Sequence, residues 1–126
     1  MKNIFAILSF LFVAATATMA QGPVMTFETT TVDYGTIEKG GEPLRKFKFK
    51  NTGTEPLIIK DAKGSCGCTV PTYPKEPIMP GESSEIEVRY DTQRIGMFTK
   101  SVTLTTNETN GSHLLTIKGE VKAPTE

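Results

Sequence analysis

The chain has 126 residues, with 14 basic and 14 acidic side chains, two cysteines and no tryptophan. So even a balance gives no electrostatic reason to seek nucleic acid or an anionic membrane. Two cysteines allow one internal disulfide, which excludes a disulfide-stapled miniprotein and leaves stability to apolar burial.

At the N-terminus, Lys2 and Asn3 precede an apolar run from Ile4 to about Ala15, and Thr18-Met19-Ala20 makes a small-residue exit before Gln21. This is the layout of a secretory signal peptide, too short and too early for a membrane span. The expected division is a signal over 1–20 and one domain over 21–126, a length suited to a single modest core. No cysteine follows the cut, so no lipid anchor is expected, and no second apolar run of spanning length occurs. The mature chain is expected to be soluble, in the periplasm or outside the cell, where adjacent thiols rarely stay free.

From Val24 onward the chain reads as strands and turns. Apolar residues alternate at Phe47 and Phe49, at Ile86, Val88 and Tyr90, at Phe98, Val102 and Leu104, and at Leu115, Ile117 and Val121. Period two puts one face of each strand in a core and the other in water. Gly40-Gly41, Asn51-Thr52-Gly53, Pro80-Gly81 and the stretch from Asn107 to Gly111 supply turns. Strands are expected near 24–29, 32–35, 44–51, 56–62, 84–91, 97–106 and 113–122, with room for a brief extra strand around the cysteines. The pattern predicts an all-β fold, a single sandwich of about seven strands. Two cysteines so close in sequence cannot bridge facing sheets, and Trp is absent, so an antibody-type domain is not expected. The tail from Lys122 to Glu126 is expected to be disordered.

Two stretches have plain structural readings. Lys46, Lys48 and Lys50 alternate with Phe47 and Phe49, and Glu85 and Glu87 take the outward positions of a later strand. If those strands are neighbours, opposite charges meet across the ladder and neutralise the surface. Prolines at 71, 74, 77 and 80 read as a stiff connector that blocks edge pairing, rather than as a polyproline ligand.

Ser65-Cys66-Gly67-Cys68-Thr69 holds both cysteines. A bridge across one residue closes a small, strained ring, which Gly67 permits because glycine alone tolerates unusual backbone angles. Strain makes such a bond easier to break, and so short a loop makes it a poor stabiliser. An inert local disulfide, an active dithiol/disulfide, Cu(I) binding by two thiolates and a disulfide with a partner protein all stay open. Structural zinc is disfavoured, since only His113 is available to complete a tetrahedral site. His113 reads as a solvated turn residue, and Met79 and Met97 as ordinary packing or loop residues rather than copper ligands. Hydrolytic groupings are not recognisable, although paired carboxylates stay open. Asn107-Glu108-Thr109 and Asn110-Gly111-Ser112 are formal glycosylation sequons, meaningful only in a cell with that machinery.

Asp33-Tyr34-Gly35-Thr36-Ile37, Phe47 to Gly53 and Pro56-Leu57-Ile58-Ile59 lead into Ser65 to Pro71, Pro77-Ile78-Met79-Pro80-Gly81 and Val88 to Thr92. This series resembles the bacterial domain-of-unknown-function family DUF 1573, common in secreted proteins of the Bacteroidetes, over nearly the whole mature chain. The resemblance implies an immunoglobulin-like sandwich, distantly similar to the ASPM/SPD-2/Hydin and major sperm protein domains; it implies no activity. Tyr34 stands where the family often has Phe. Gly35 and Gly53 are expected at turns needing positive φ, and Cys66, Gly67 and Cys68 at one end of the sandwich, where such folds keep binding surfaces. Phe47, Phe49, Ile59, Ile86, Val88 and Val102 are the expected core.

The functional expectation is a secreted, non-enzymatic interaction module of the bacterial cell envelope, with an unspecified envelope protein as partner and no cofactor. The alternative is a redox-active or copper-binding protein acting through Cys66 and Cys68. An enzyme acting on polysaccharide or peptide is a third, weaker reading. The oligomeric state is not legible.

Overall fold

The structure, a computed structural model, describes residues 22–124, so the signal-peptide reading and the last two residues of the tail lie outside the described residues. Eight strands follow one another: β1 Met25–Phe27, β2 Thr31–Glu38, β3 Leu44–Asn51, β4 Ile59–Gly64, β5 Thr69–Thr72, β6 Ser83–Tyr90, β7 Gly96–Thr106 and β8 Ser112–Lys122. They form two four-stranded sheets, ordered β1-β3-β6-β5 and β2-β8-β7-β4. All pairs are antiparallel except β2 with β8.

The alternation read from the sequence decides which faces meet. Phe47, Phe49, Ile86, Val88 and Tyr90 of one sheet pack with Val102, Leu104, Leu115, Ile117 and Val121 of the other. All six expected core residues are buried. Full burial of an aliphatic or aromatic side chain stabilises by about 1.5–3 kcal/mol, so this layer dominates the favourable side of folding.

Seven of the eight strands are the expected ones, and the eighth, β5, directly after the cysteines, is the brief extra strand for which that stretch left room. β2 runs on past Gly35 instead of stopping there. Gly35 has φ 68° and donates its N–H to the Asp33 carboxylate at 2.7 Å, and pairing with β8 resumes at Thr36 opposite Glu120. The glycine marks a bulge inside the strand, not its end. Lys122 closes β8 by pairing with Glu38, so the final strand takes the first residue of the expected disordered tail.

The proline segment does what its composition implies. Cys68 accepts the Asp91 N–H at 2.9 Å, so Cys68, Val70 and Thr72 turn their backbone groups toward β6, and Thr69 and Pro71 turn theirs outward. The Thr69 N–H is used by Cys66 O at 3.2 Å and Pro71 has no N–H, which leaves the outer edge of β5 without a free donor. An edge of this kind cannot extend the sheet.

Candidate functional site: the cysteine-bridged end

β4 belongs to one sheet and β5 to the other, so the four residues from Ser65 to Cys68 carry the chain across the sandwich. Ser65 is clamped to β7 at both its groups: its N–H donates to Ser101 O at 2.8 Å, and its hydroxyl accepts the Ser101 N–H at 3.1 Å. Cys66 and Cys68 are joined by a disulfide, with Cα atoms 5.2 Å apart, and no other cysteine exists. The Cys68 N–H points at Cys66 Sγ, 3.3 Å away. The Thr69 hydroxyl lies 3.6 Å from Cys68 Sγ and 3.8 Å from Cys66 Sγ.

The glycines of this end divide the work differently from the sequence reading. Gly67 is not in the left-handed region, and a Cβ there would meet nothing within 4 Å. Openness, not backbone angle, is what it contributes. Gly64 is the constrained position: a Cβ there would fall on the carbonyl oxygen of Thr69. The two strands flanking the bridge approach too closely for any side chain, a demand that shows only once the crossing is known.

Beside the bridge lies a cleft of about 310 Å³. Its walls are Gly40, Gly41 and Pro43 of the β2–β3 turn on one side and Gly67, Cys68 and Val70 on the other, with Arg89 to Gln93 between them. The turn is tied down by Thr92, whose hydroxyl donates to Gly41 O at 2.8 Å while its carbonyl accepts the Gly40 N–H at 3.0 Å. The Tyr34 hydroxyl donates to Pro43 O at 2.7 Å, and the Arg45 guanidinium covers the Tyr34 ring at 4.0 Å. Burial holds the Tyr34 phenol above its ordinary pKa, and Arg45 opposes that shift. Val70 is 53% exposed, and Arg89 makes no ion pair among the described residues. The cleft thus offers an apolar wall and an unneutralised cation on a rigid rim.

The other residues singled out from the sequence lie elsewhere. Met79 sits at the opposite end of β6, its N–H donating to the Glu82 carboxylate at 3.1 Å, and Met97 is exposed on β7 opposite Glu120. The structure brings neither to the bridge. On the outer face of β3, the neighbouring strand is β6 as expected, but Lys46 alone takes the glutamates, Glu85 at 3.2 Å and Glu87 at 3.9 Å. Lys48 and Lys50 make no ion pair among the described residues.

Two features of the far end were missed or misassigned. His113 is not a solvated turn residue: its Nε2 is 2.6 Å from Glu108 Oε1 and its ring meets Phe27 edge-on. Glu108 also accepts from the Thr106 hydroxyl and the Met25 N–H, so one carboxylate caps the outer edge of β1. Gly53 is not at positive φ either. A Cβ there would collide with the backbone of Gly22, Pro23 and Val24, so its role is to let the N-terminal segment lie close.

The chain matches the family described as "Protein of unknown function (DUF1573)" over residues 25–121. No curated protein matches it. Among solved structures it is similar to a protein of unknown function from Porphyromonas gingivalis W83, with 20% identity and a TM-score of 0.70 over 83% of this chain and 50% of that one. A PapD-like domain of human CEP192 gives a TM-score of 0.61 at 8% identity, over 80% and 87% of the two chains. The periplasmic chaperone SfaE gives 0.55 at 9% identity, over 81% and 59%. The chain spans about half the length of the Porphyromonas protein. At these identities the likeness is one of fold, and the fold is the immunoglobulin-like, PapD-like sandwich. With the family matched across the whole sandwich, from the first strand to Val121 of the last, the chain belongs to the DUF1573 family.

Proposed function

We propose that this chain is a secreted, non-enzymatic interaction module of the cell envelope, and that its contact surface is the cysteine-bridged end. The observation that carries this reading is the cleft beside the bridge, where exposed Val70 and unpaired Arg89 flank a rim fixed by Thr92 and the disulfide. An apolar side chain beside an unneutralised cation on a rigid frame costs little order to bind. The leader-like N-terminus supports export, and the likeness in fold to the periplasmic chaperone SfaE is in keeping with it.

The test is a photo-crosslinking amino acid placed at position 70 and, in a second protein, at the exposed Leu114 on the outer face of the other sheet. In an envelope fraction the probe at 70 is expected to capture one defined protein, and an added Arg89→Glu change to abolish the adduct. Equal capture from both positions, or none from 70, would refute docking at this end.

A further inference from the structure

The bridge carries a chemical asymmetry that docking does not use. Cys68 is 4% exposed, whereas Cys66 is only partly covered and precedes the open Gly67. Thr69 is 2% exposed, and its hydroxyl has, among the described residues, no hydrogen-bond partner but the two sulfurs. A buried hydroxyl is normally satisfied by a good acceptor, and a disulfide sulfur is a weak one. A thiolate is a charged acceptor and would use that donor well. The hydroxyl therefore sits where charge would develop if the bond opened, nearer the sulfur that is sealed from water.

We propose that the Cys66–Cys68 bond is a polarised exchange site for the dithiol of a partner protein, with Cys66 Sγ attacked and Cys68 Sγ leaving. An incoming thiol loses its proton to water, and its thiolate forms a bond to Cys66 Sγ. The Cys66–Cys68 bond breaks, its electron pair passes to Cys68 Sγ, and the Thr69 O–H donates to the thiolate so formed. The partner's second thiolate then attacks the partner's own sulfur in the mixed disulfide and expels Cys66 Sγ, toward which the Cys68 N–H already points. Both released thiolates take protons from water. The partner is oxidised by two electrons and this chain becomes a dithiol. Nothing in this chemistry requires the docking cleft, because a small thiol can take the first step alone.

Reduced glutathione is therefore the probe. Oxidised protein is incubated with it and quenched in acid, and the mixed disulfide is located by fragmenting the peptide that contains both cysteines. Glutathione is expected on Cys66. Thr69→Val is expected to slow the opening about tenfold, the worth of one hydrogen bond to a charged group, while Thr69→Ser keeps the wild-type rate. In the reduced protein, ultraviolet thiolate absorbance should show one thiol titrating at higher pH in Thr69→Val than in wild type. Glutathione on Cys68, a bridge that glutathione leaves intact, or equal rates in wild type and Thr69→Val would each overturn the proposal. The position of glutathione in the wild-type protein decides its polarity even where a Thr69 variant fails to fold.

Discussion

At the end of the sandwich where Asn51 lies, the loops are held by one buried amide; at the end where Cys66 and Cys68 lie, a covalent bond spans a single residue. Asn51 is 0% exposed, and its side chain donates to Glu55 O and Ile78 O, both at 2.8 Å. It accepts from Gly53 N at 3.0 Å and Val24 N at 3.3 Å. Three separate segments thereby meet on one residue, and the neighbouring Leu57–Ile78 bridge seals the same corner. The cysteine bond ties together residues the chain already keeps adjacent. A structural device gathers distant segments; a bond that gathers nothing is free to serve chemistry or recognition.

The contrast predicts a ranking of effects. Asn51→Ala removes the four hydrogen bonds of a fully buried amide and should lower the unfolding free energy by about 4 kcal/mol, read from chemical denaturation. Gly64→Ala drives a Cβ into the Thr69 carbonyl and should cost about 3 kcal/mol in the same measurement, by forcing β4 and β5 apart. A smaller loss, about 2 kcal/mol, is expected for Glu108→Ala, which removes the acceptor for Met25 N, Thr106 and His113. Hydrogen exchange should then show β1 opening first.

The smallest effect is one of pH. Burial raises the folded-state pKa of Tyr34 and of Tyr90, so the folded chain holds those protons more tightly than the unfolded chain does. Their contribution is fully present below the ordinary tyrosine pKa and is lost as pH rises through the raised values. Stability should therefore fall above about pH 10, and less steeply in Tyr34→Phe. An unfolding midpoint flat through that range would contradict the burial of these rings.

The sequence made the layers legible because period-two alternation is a local signal: Phe47 and Phe49 could only face inward together. The Cys-Gly-Cys element was legible as a candidate site for the same reason, since chemistry and spacing lie within five residues. What stayed hidden depends on contacts between distant segments. Gly53 and Gly64 are required by approaching backbone, not by their own φ, and nothing next to them in the chain announces it. His113 looked solvated because its neighbours are turn residues; Glu108 of the same β7–β8 turn holds its ring, and the ring that covers it is Phe27 of β1, in the other sheet. Gly35 looked like a strand end because the bulge that absorbs it is defined by β8. The Thr69 hydroxyl was passed over because a threonine beside a cysteine reads as strand chemistry until its lack of any other partner is known.

The most direct test is the unfolding free energy of the oxidised protein against the same protein reduced and kept reduced. A loop of one residue removes little freedom from the unfolded chain, so reduction should cost no more than about 2 kcal/mol and leave the β-sheet circular dichroism unchanged. Unfolding on reduction, or a loss as large as that of Asn51→Ala, would show that the bridge holds the sandwich together, and would contradict its assignment as the working part.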